Sequence, residues 1–404
     1  MILHGTLYTP YTTIRPGWLQ IEGTRIARVS STPIMPHPEE EVWEFSDAII
    51  APGFINLHVH GGAGADVMDA TPEALTTIAR HQLHQGVTTF LPTTVSAGRK
   101  TLCHVLAVLQ AYCASQAHGA SAEEEHSARL IAHVAGIHVE GPFLSLDKKG
   151  AQSERSIRSY DEVQTLDALM EFIASAGDQI RILTLAPEHR DAECLIRLAI
   201  EHGITVGLGH SIASFEHAQE AISSGVRYAT HTFNAMPPVH HRQPGLVTAV
   251  LLDDRVYAEL IADGIHLHPA ICQLVLKVKG EDRSVLVTDA VRCAGMPDGE
   301  YRLGDLPIIK SGNAVFLRDT SGDTLAGSVL SMNRGIELLV RQGQYTLQQA
   351  LKAASTNPAH VLRIEEQKGS LTPGKDADIV VLGEDFRVNA VVVQGRIESM
   401  ENRH

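Results

Sequence analysis

Between residues 53 and 288 the chain repeats one pattern: a short, nearly unbroken apolar run, then a stretch with helical spacing or a longer loop. The apolar runs lie at 53–60, 87–93, 131–139, 180–186, 204–209, 227–232, 256–263 and 284–288. Between them the spacing predicts helices over 72–85, 101–116, 160–175, 190–202, 214–223 and 268–279, with a final one over 346–356. Pro72 suits a helix start, because the first helical residue needs no N–H partner. Strands that are apolar on both faces and alternate with helices predict a parallel sheet covered by helices. Eight such units are enough to close a (β/α)8 barrel of the TIM type, an α/β fold. A doubly wound open sheet is the alternative. No GxGxxG follows the first run and no GxxxxGK[ST] occurs, so a nucleotide fold has no support.

The two ends of the chain read differently. Residues 1–50 alternate loosely around turns at Gly5, Pro10, Gly17 and Gly23, and residues 371–397 have the same character. Both ends together predict one small β-sandwich, 1–50 with 366–404, flanking a barrel domain of 51–365. Polar, glycine-containing sequence at 301–325 predicts a hairpin insertion in that barrel. The charged cluster from Glu123 to His126 reads as the solvated start of a helix.

Composition narrows the function. A formal net charge of −14 argues against a nucleic-acid partner, since no surplus of Lys and Arg is there to displace counterions. It leaves room for an anionic small molecule, which needs only a local donor pocket. The N-terminus lacks the basic and apolar regions of a signal peptide, and no run approaches the ~18 apolar residues of a membrane span. The five cysteines, Cys103, Cys113, Cys194, Cys272 and Cys293, are scattered without CxxC spacing, which fits a reducing cytoplasm.

In such a barrel, functional side chains gather at the C-terminal ends of the strands. The first run ends in His58 and His60, which alternation places on one side of a strand. With 22 histidines in the chain, one or two HxH pairs are expected by chance. The weight comes from recurrence: Glu140 ends the third run, His210 the fifth, His231 the sixth and Asp289 the eighth, and His266 follows the seventh. Each has a plain structural explanation, as a capping group, a surface ion pair or a hydrogen-bonded histidine. Those explanations would have to hold separately at every strand, whereas a metal centre accounts for them together. Imidazole and carboxylate ligands suit zinc or iron(II). His58, His60, Glu140, His210 and His231 exceed the usual three protein ligands of a one-zinc catalytic site, which favours two ions. Asp289 is then placed to take a proton from a metal-activated water and return it to a leaving amine.

At this point a resemblance enters. PGFINLHVHGGAGADVMDA, GIHVEGPFLSLDKKGAQ, GLGHS, THTFNAMPP, ADGIH, LVTDA and LAGS together resemble the N-acetylglucosamine-6-phosphate deacetylases of the amidohydrolase superfamily, essentially along the whole chain. The resemblance implies a (β/α)8 barrel with a small β-sandwich, a homodimer, and hydrolysis of N-acetyl-D-glucosamine 6-phosphate to D-glucosamine 6-phosphate and acetate. It implies one or two divalent ions, Zn2+ or Fe2+ above all and Mn2+ as a further option. Glu140, His210 and His231 match the ligands of the tightly held ion, and His58 and His60 the second-site pair of two-metal members. Where one-metal members carry a carbonyl-polarising histidine, this chain has Gln152. A second metal could assume that job. Asn234 and Ala235 match sugar and phosphate contacts, Arg242 and His266 match phosphate contacts, and Ala151 and Leu325, Ala326 and Gly327 match sugar contacts. In some members the arginine reaches across the dimer.

Three other functions compete. Cyclic-amide hydrolases of the dihydroorotase or hydantoinase kind bridge their metals with a carboxylated lysine after strand four, but here that strand ends LTLAPEH. A deacetylase for N-acetylgalactosamine 6-phosphate differs by one or two hydroxyl contacts that sequence does not locate. A sugar-phosphate sensor would have lost chemical groups before binding groups, and all the chemical groups are present.

Overall fold

Consecutive barrel strands pair in parallel along the chain: Phe54–Val59, Val87–Thr94, Ile137–Glu140, Ile180–Leu185, Thr205–Leu208, Tyr228–Ala229, Tyr257–Leu260 and Ser284–Leu286. The computed structural model describes residues 1–117, 129–161, 165–318 and 323–400; the cluster from Glu123 to His126 lies outside them. The sheet closes where Val59 bridges Ala290 in parallel, just past the eighth strand. The eight apolar runs are therefore the eight strands of a (β/α)8 barrel.

Local chemistry sets the boundaries. Pro72–Leu83 starts on Thr71, whose hydroxyl accepts the Ala74 N–H, and it buries Leu75, Ile78, Ala79 and Leu83 on one face. Gly86, at φ +83°, ends the connection to the second strand. The third run is split into His133–Val134 and Ile137–Glu140 at Gly136, where a Cβ would lie 2.3 Å from Cγ of Arg181. The expected helix over 160–175 is two helices, Glu154–Asp161 and Thr165–Ala176.

Further helices lie outside the expected set. Gly245–Leu252 is apolar on nearly every side, so it has no stripe to betray its period. Met332–Arg341 follows the insertion directly and buries Met332, Ile336 and Leu339.

Inside the barrel, Ile55, Leu57, Leu91, Ile182, Tyr228, Val285 and Val287 form one apolar cluster with Ala359, Val361 and Leu362. Two residues further along the same strands the inward positions turn polar: Thr184 after Ile182 and Asp289 after Val287. The apolar layer supports a polar one above it.

The chain ends share a seven-stranded mixed sheet, with Val42–Pro52 at its centre between Ile2–Tyr8 and Ile379–Leu382. It curls so that Arg25 bridges Asp376, and Leu3, Leu19, Ile26, Ile379 and Val392 share one core. Val42–Pro52 leads directly into the first barrel strand. The insertion is a three-stranded antiparallel meander, Gly299–Leu303, Leu306–Ser311 and Ala314–Leu317, rather than a single hairpin. Its inner face packs on Val95, Val291 and Ala326 beside the barrel mouth. Among the described residues, no helix is long and apolar enough to cross a membrane.

Candidate metal centre

Two groups of ligand-type side chains converge at the C-terminal mouth of the barrel. His58, His60 and Asp289 form one, Glu140, His210 and His231 the other, and within each group the candidate donor atoms lie within 4.8 Å of one another. In the first, Nε2 of His58 is 3.1 Å from Nε2 of His60, and Oδ1 of Asp289 is 3.4 Å and 3.2 Å from those two atoms. In the second, Oε1 of Glu140 lies 3.1 Å from Nε2 of His210 and 3.0 Å from Nε2 of His231. Glu140 also faces the first group, with Oε2 at 3.4 Å from Nε2 of His60. Its carboxylate thus stands between the two.

The donor set fits divalent ions. Ligand atoms about 2.0–2.2 Å from a tetrahedral zinc sit roughly 3.3 Å apart, close to the spacings here. The proton positions agree. Nδ1 of His60 faces the carbonyl of Thr93 at 3.1 Å, and Nδ1 of His210 faces the carbonyl of Lys148 at 2.8 Å. A carbonyl only accepts, so both rings carry their proton on Nδ1 and turn the Nε2 lone pair inward. Within each cluster two imidazole Nε2 atoms stand 3.1 Å apart, an arrangement that repels unless a cation or a proton lies between them. His231 Nδ1 is buried without a hydrogen-bond partner.

Electrostatics point the same way. Burial opposes charge on His231, but the hydrogen bond and charge of Glu140, with Asp289 and Glu259, carry its pKa up to about 9. Burial pushes Asp289 up, yet His58 and His60 outweigh it and hold the carboxyl at about 2. Glu140 is also held well below its ordinary range, because its histidine neighbours overcome desolvation. The pocket favours positive charge at its centre.

Backbone strain collects here as well. His210, His231 and Asp289 have φ of +48°, +29° and +51°, in the left-handed region that non-glycine residues seldom occupy. Such residues persist where surrounding structure over-determines them, and they cluster at functional sites.

The two groups open into a cavity of about 330 Å3 lined by Ala151, Gln152, Asn234, Ala235, His266, Leu325 and Gly327, among others. Ala326 is fully buried behind that wall. Arg242 is not among the lining residues. It lies on an exposed loop, with Nη1 2.7 Å from Nε2 of His241. Gln152 has its oxygen and one N–H committed: Oε1 accepts the Ser96 N–H at 2.7 Å, so Nε2 donates to Oε2 of Glu140 at 2.6 Å. His266 is set by Asp263, whose Oδ2 lies 2.6 Å from Nδ1. Asn234 Nδ2 is buried without a partner, an open donor in a residue that lines the cavity.

Sequence reasoning missed Glu259 and His138. Both are buried in the layer beneath the ligands. His138 meets Leu57 O at 3.0 Å and Thr184 Oγ1 at 2.7 Å, and burial with the nearby His58 lowers its pKa to about 3. Its position two residues before Glu140 on one strand was the available signal. Glu259 was signalled only by an acid inside an apolar run.

Residues 49–397 match the Amidohydrolase family. The chain belongs to that family. Among the relatives of this amidohydrolase, the N-acetylglucosamine-6-phosphate deacetylase of Bacillus subtilis (strain 168) is 34% identical over 391 residues, covering 97% of this chain and 95% of that protein. The N-acetylgalactosamine-6-phosphate deacetylase of Escherichia coli O157:H7 is 37% identical over 383 residues, covering 95% and 96%. Among solved structures, a mutant N-acetyl-D-glucosamine-6-phosphate deacetylase from Mycobacterium smegmatis in complex with N-acetyl-D-glucosamine-6-phosphate superimposes with a TM-score of 0.88 at 30% identity, covering 98% of each chain.

Proposed function

We propose that this amidohydrolase removes the acetyl group of N-acetyl-D-glucosamine 6-phosphate, releasing D-glucosamine 6-phosphate and acetate. The observation that carries the reading is Glu140 standing between two ligand groups, with Asp289 in the same cavity wall. His58 and His60 would hold one ion, His210 and His231 the other, with Glu140 shared. Zinc or iron(II) suits these donors best, and manganese is also compatible. When bound, the ions supply Lewis acidity toward the water and the acetyl carbonyl.

The chain does the rest. Asp289, held ionised, accepts a proton from the attacking water and delivers it to the sugar nitrogen as the C–N bond breaks. Gln152 fixes Glu140 through one amide N–H while its carbonyl accepts from Ser96, and its second N–H is left for the substrate in the cavity that it lines. Asn234, with its open amide donor, and His266, steadied by Asp263, bind the sugar phosphate. Leu325 and Gly327, from the segment after the meander, and Ala151 enclose the sugar. Arg242, exposed on its loop, holds the phosphate, either of its own subunit or across a homodimer. The bidentate geometry of a guanidinium suits that anion. The five scattered cysteines, without CxxC spacing, support a cytoplasmic setting for the reaction.

A second reading takes N-acetyl-D-galactosamine 6-phosphate as substrate, because a relative named for that activity is as similar to this chain as those named for the other. Acetate release from the two epimers separates these readings. Faster turnover of the glucosamine compound supports the proposal, and faster turnover of its epimer replaces it.

A further inference from the structure

Glu259 lies on the seventh barrel strand, fully buried, and is not one of the cavity-lining residues. Its two oxygens each meet a group from a different ligand cluster. Oε1 is 3.1 Å from Nδ1 of His58, and Oε2 accepts the backbone N–H of His231 at 2.5 Å. A carboxylate can serve both because it only accepts. At His58 this keeps the ring proton on Nδ1, so the Nε2 lone pair points at His60 and Asp289. At His231 it pins a backbone whose φ of +29° is unfavourable for a residue with a side chain.

We infer that Glu259 is a positioning residue that couples the two metal clusters, setting the His58 tautomer in one and the His231 backbone in the other. The inference rests on the reading that both clusters hold an ion. A partner on the far nitrogen of a ligating histidine fixes ring orientation and raises ligand basicity. What is particular here is that one carboxylate does this for one cluster while holding the main chain of the other. The two ions should therefore share a dependence on a residue that touches neither.

Glu259→Gln separates this role from simple filling of space. The amide has the same shape, but it presents one acceptor and one donor to two groups that both need an acceptor. If its N–H faces His58, the imidazole proton moves to Nε2 and the lone pair is lost to the cluster. If its N–H faces His231, two donors oppose each other. Glu259→Asp keeps two acceptors but draws them back by one methylene.

The experiment is a cobalt(II) titration of metal-stripped protein, read by visible absorption and ion count. Chelator competition gives the two dissociation constants, and circular dichroism follows the fold. Wild type is expected to take two equivalents. Glu259→Gln should bind both ions more weakly, at least one of them by ~10–100-fold, with Glu259→Asp falling between, and a loss confined to one ion overturns the coupling. A purely structural role would lower thermal stability while leaving both constants unchanged, and that result overturns the inference. Should Glu259→Gln fail to fold, wild-type constants in Glu259→Asp overturn it equally. A single equivalent in wild type overturns the two-metal reading and the coupling with it.

Discussion

The backbone N–H of Asp289 donates to the carbonyl of His58 at 3.0 Å, and this hydrogen bond joins the last barrel strand to the first. The bond that helps to close the barrel therefore also fixes the two residues whose side chains meet at 3.4 Å in the first ligand cluster. Closure and metal site are one piece of geometry. The carbonyl of Asp289 in turn accepts the Ser328 N–H at 2.8 Å, tying the segment that follows the insertion to the same point.

Asp289→Asn should leave this backbone frame intact, since Asn is nearly isosteric and tolerates left-handed φ. It removes the proton acceptor. The expected outcome is a fall in kcat of ~10²–10⁴-fold with the thermal midpoint little changed. Steady-state kinetics and a melting curve on one preparation check it. Retention of near-wild-type kcat would take the proton-handling role away from Asp289.

Gly327 sits at φ +62°, and a Cβ there would lie 2.4 Å from Cγ1 of Val291 and 2.9 Å from the carbonyl oxygen of Asp289. Gly327→Ala should destabilise the protein by about 1–3 kcal/mol through overpacking. It should also lower kcat by displacing Asp289. Denaturant unfolding and kinetics together test the link, and a stability loss without any kinetic effect would show that Asp289 does not follow its neighbour.

The His231 imidazole has a folded-state pKa of about 9, above its ordinary 6.5, because Glu140 and the neighbouring carboxylates overcome burial. A raised pKa means that the folded state binds the proton more tightly. In metal-stripped protein this contribution to stability is fully present below 6.5 and is lost as pH rises through about 9. A protonated ring has no lone pair to offer, so divalent-ion affinity should rise across the same window. Denaturation midpoints of chelated protein at the two ends of the window, with an ion titration at each, give both signs. Affinity that is flat with pH would contradict the assignment.

Arg242→Ala should raise KM for a 6-phosphorylated substrate and leave turnover of an unphosphorylated analogue unchanged. In mixed dimers with an Asp289→Asn subunit, the pattern of recovered activity reports whether the arginine acts in its own or the partner's cavity. Equal losses for both substrates would remove the phosphate role.

The barrel was legible because its strands are buried on both faces, so eight unbroken apolar runs mark them whatever the loops contain. The candidate ligands were legible because they terminate those runs: His58 and His60 share a face by alternation, and Glu140 and Asp289 each end an apolar stretch. Glu259 was not, since its partners are 201 and 28 residues away in sequence and its own run reads as an ordinary strand with an acid inside it. Gly245–Leu252 escaped because a helix apolar on nearly every side has no stripe. Gln152 was found by position, but which groups its amide would engage depends on Ser96 and Glu140 meeting on either side of it.

The most direct test is acetate release from N-acetyl-D-glucosamine 6-phosphate by protein of known metal content, before chelation, after it, and after restoring the ions. The account predicts turnover with the loaded protein, loss on stripping and recovery with up to two equivalents of zinc or iron(II). Fully loaded protein that releases no acetate, or stripped protein that releases it unchanged, would contradict it.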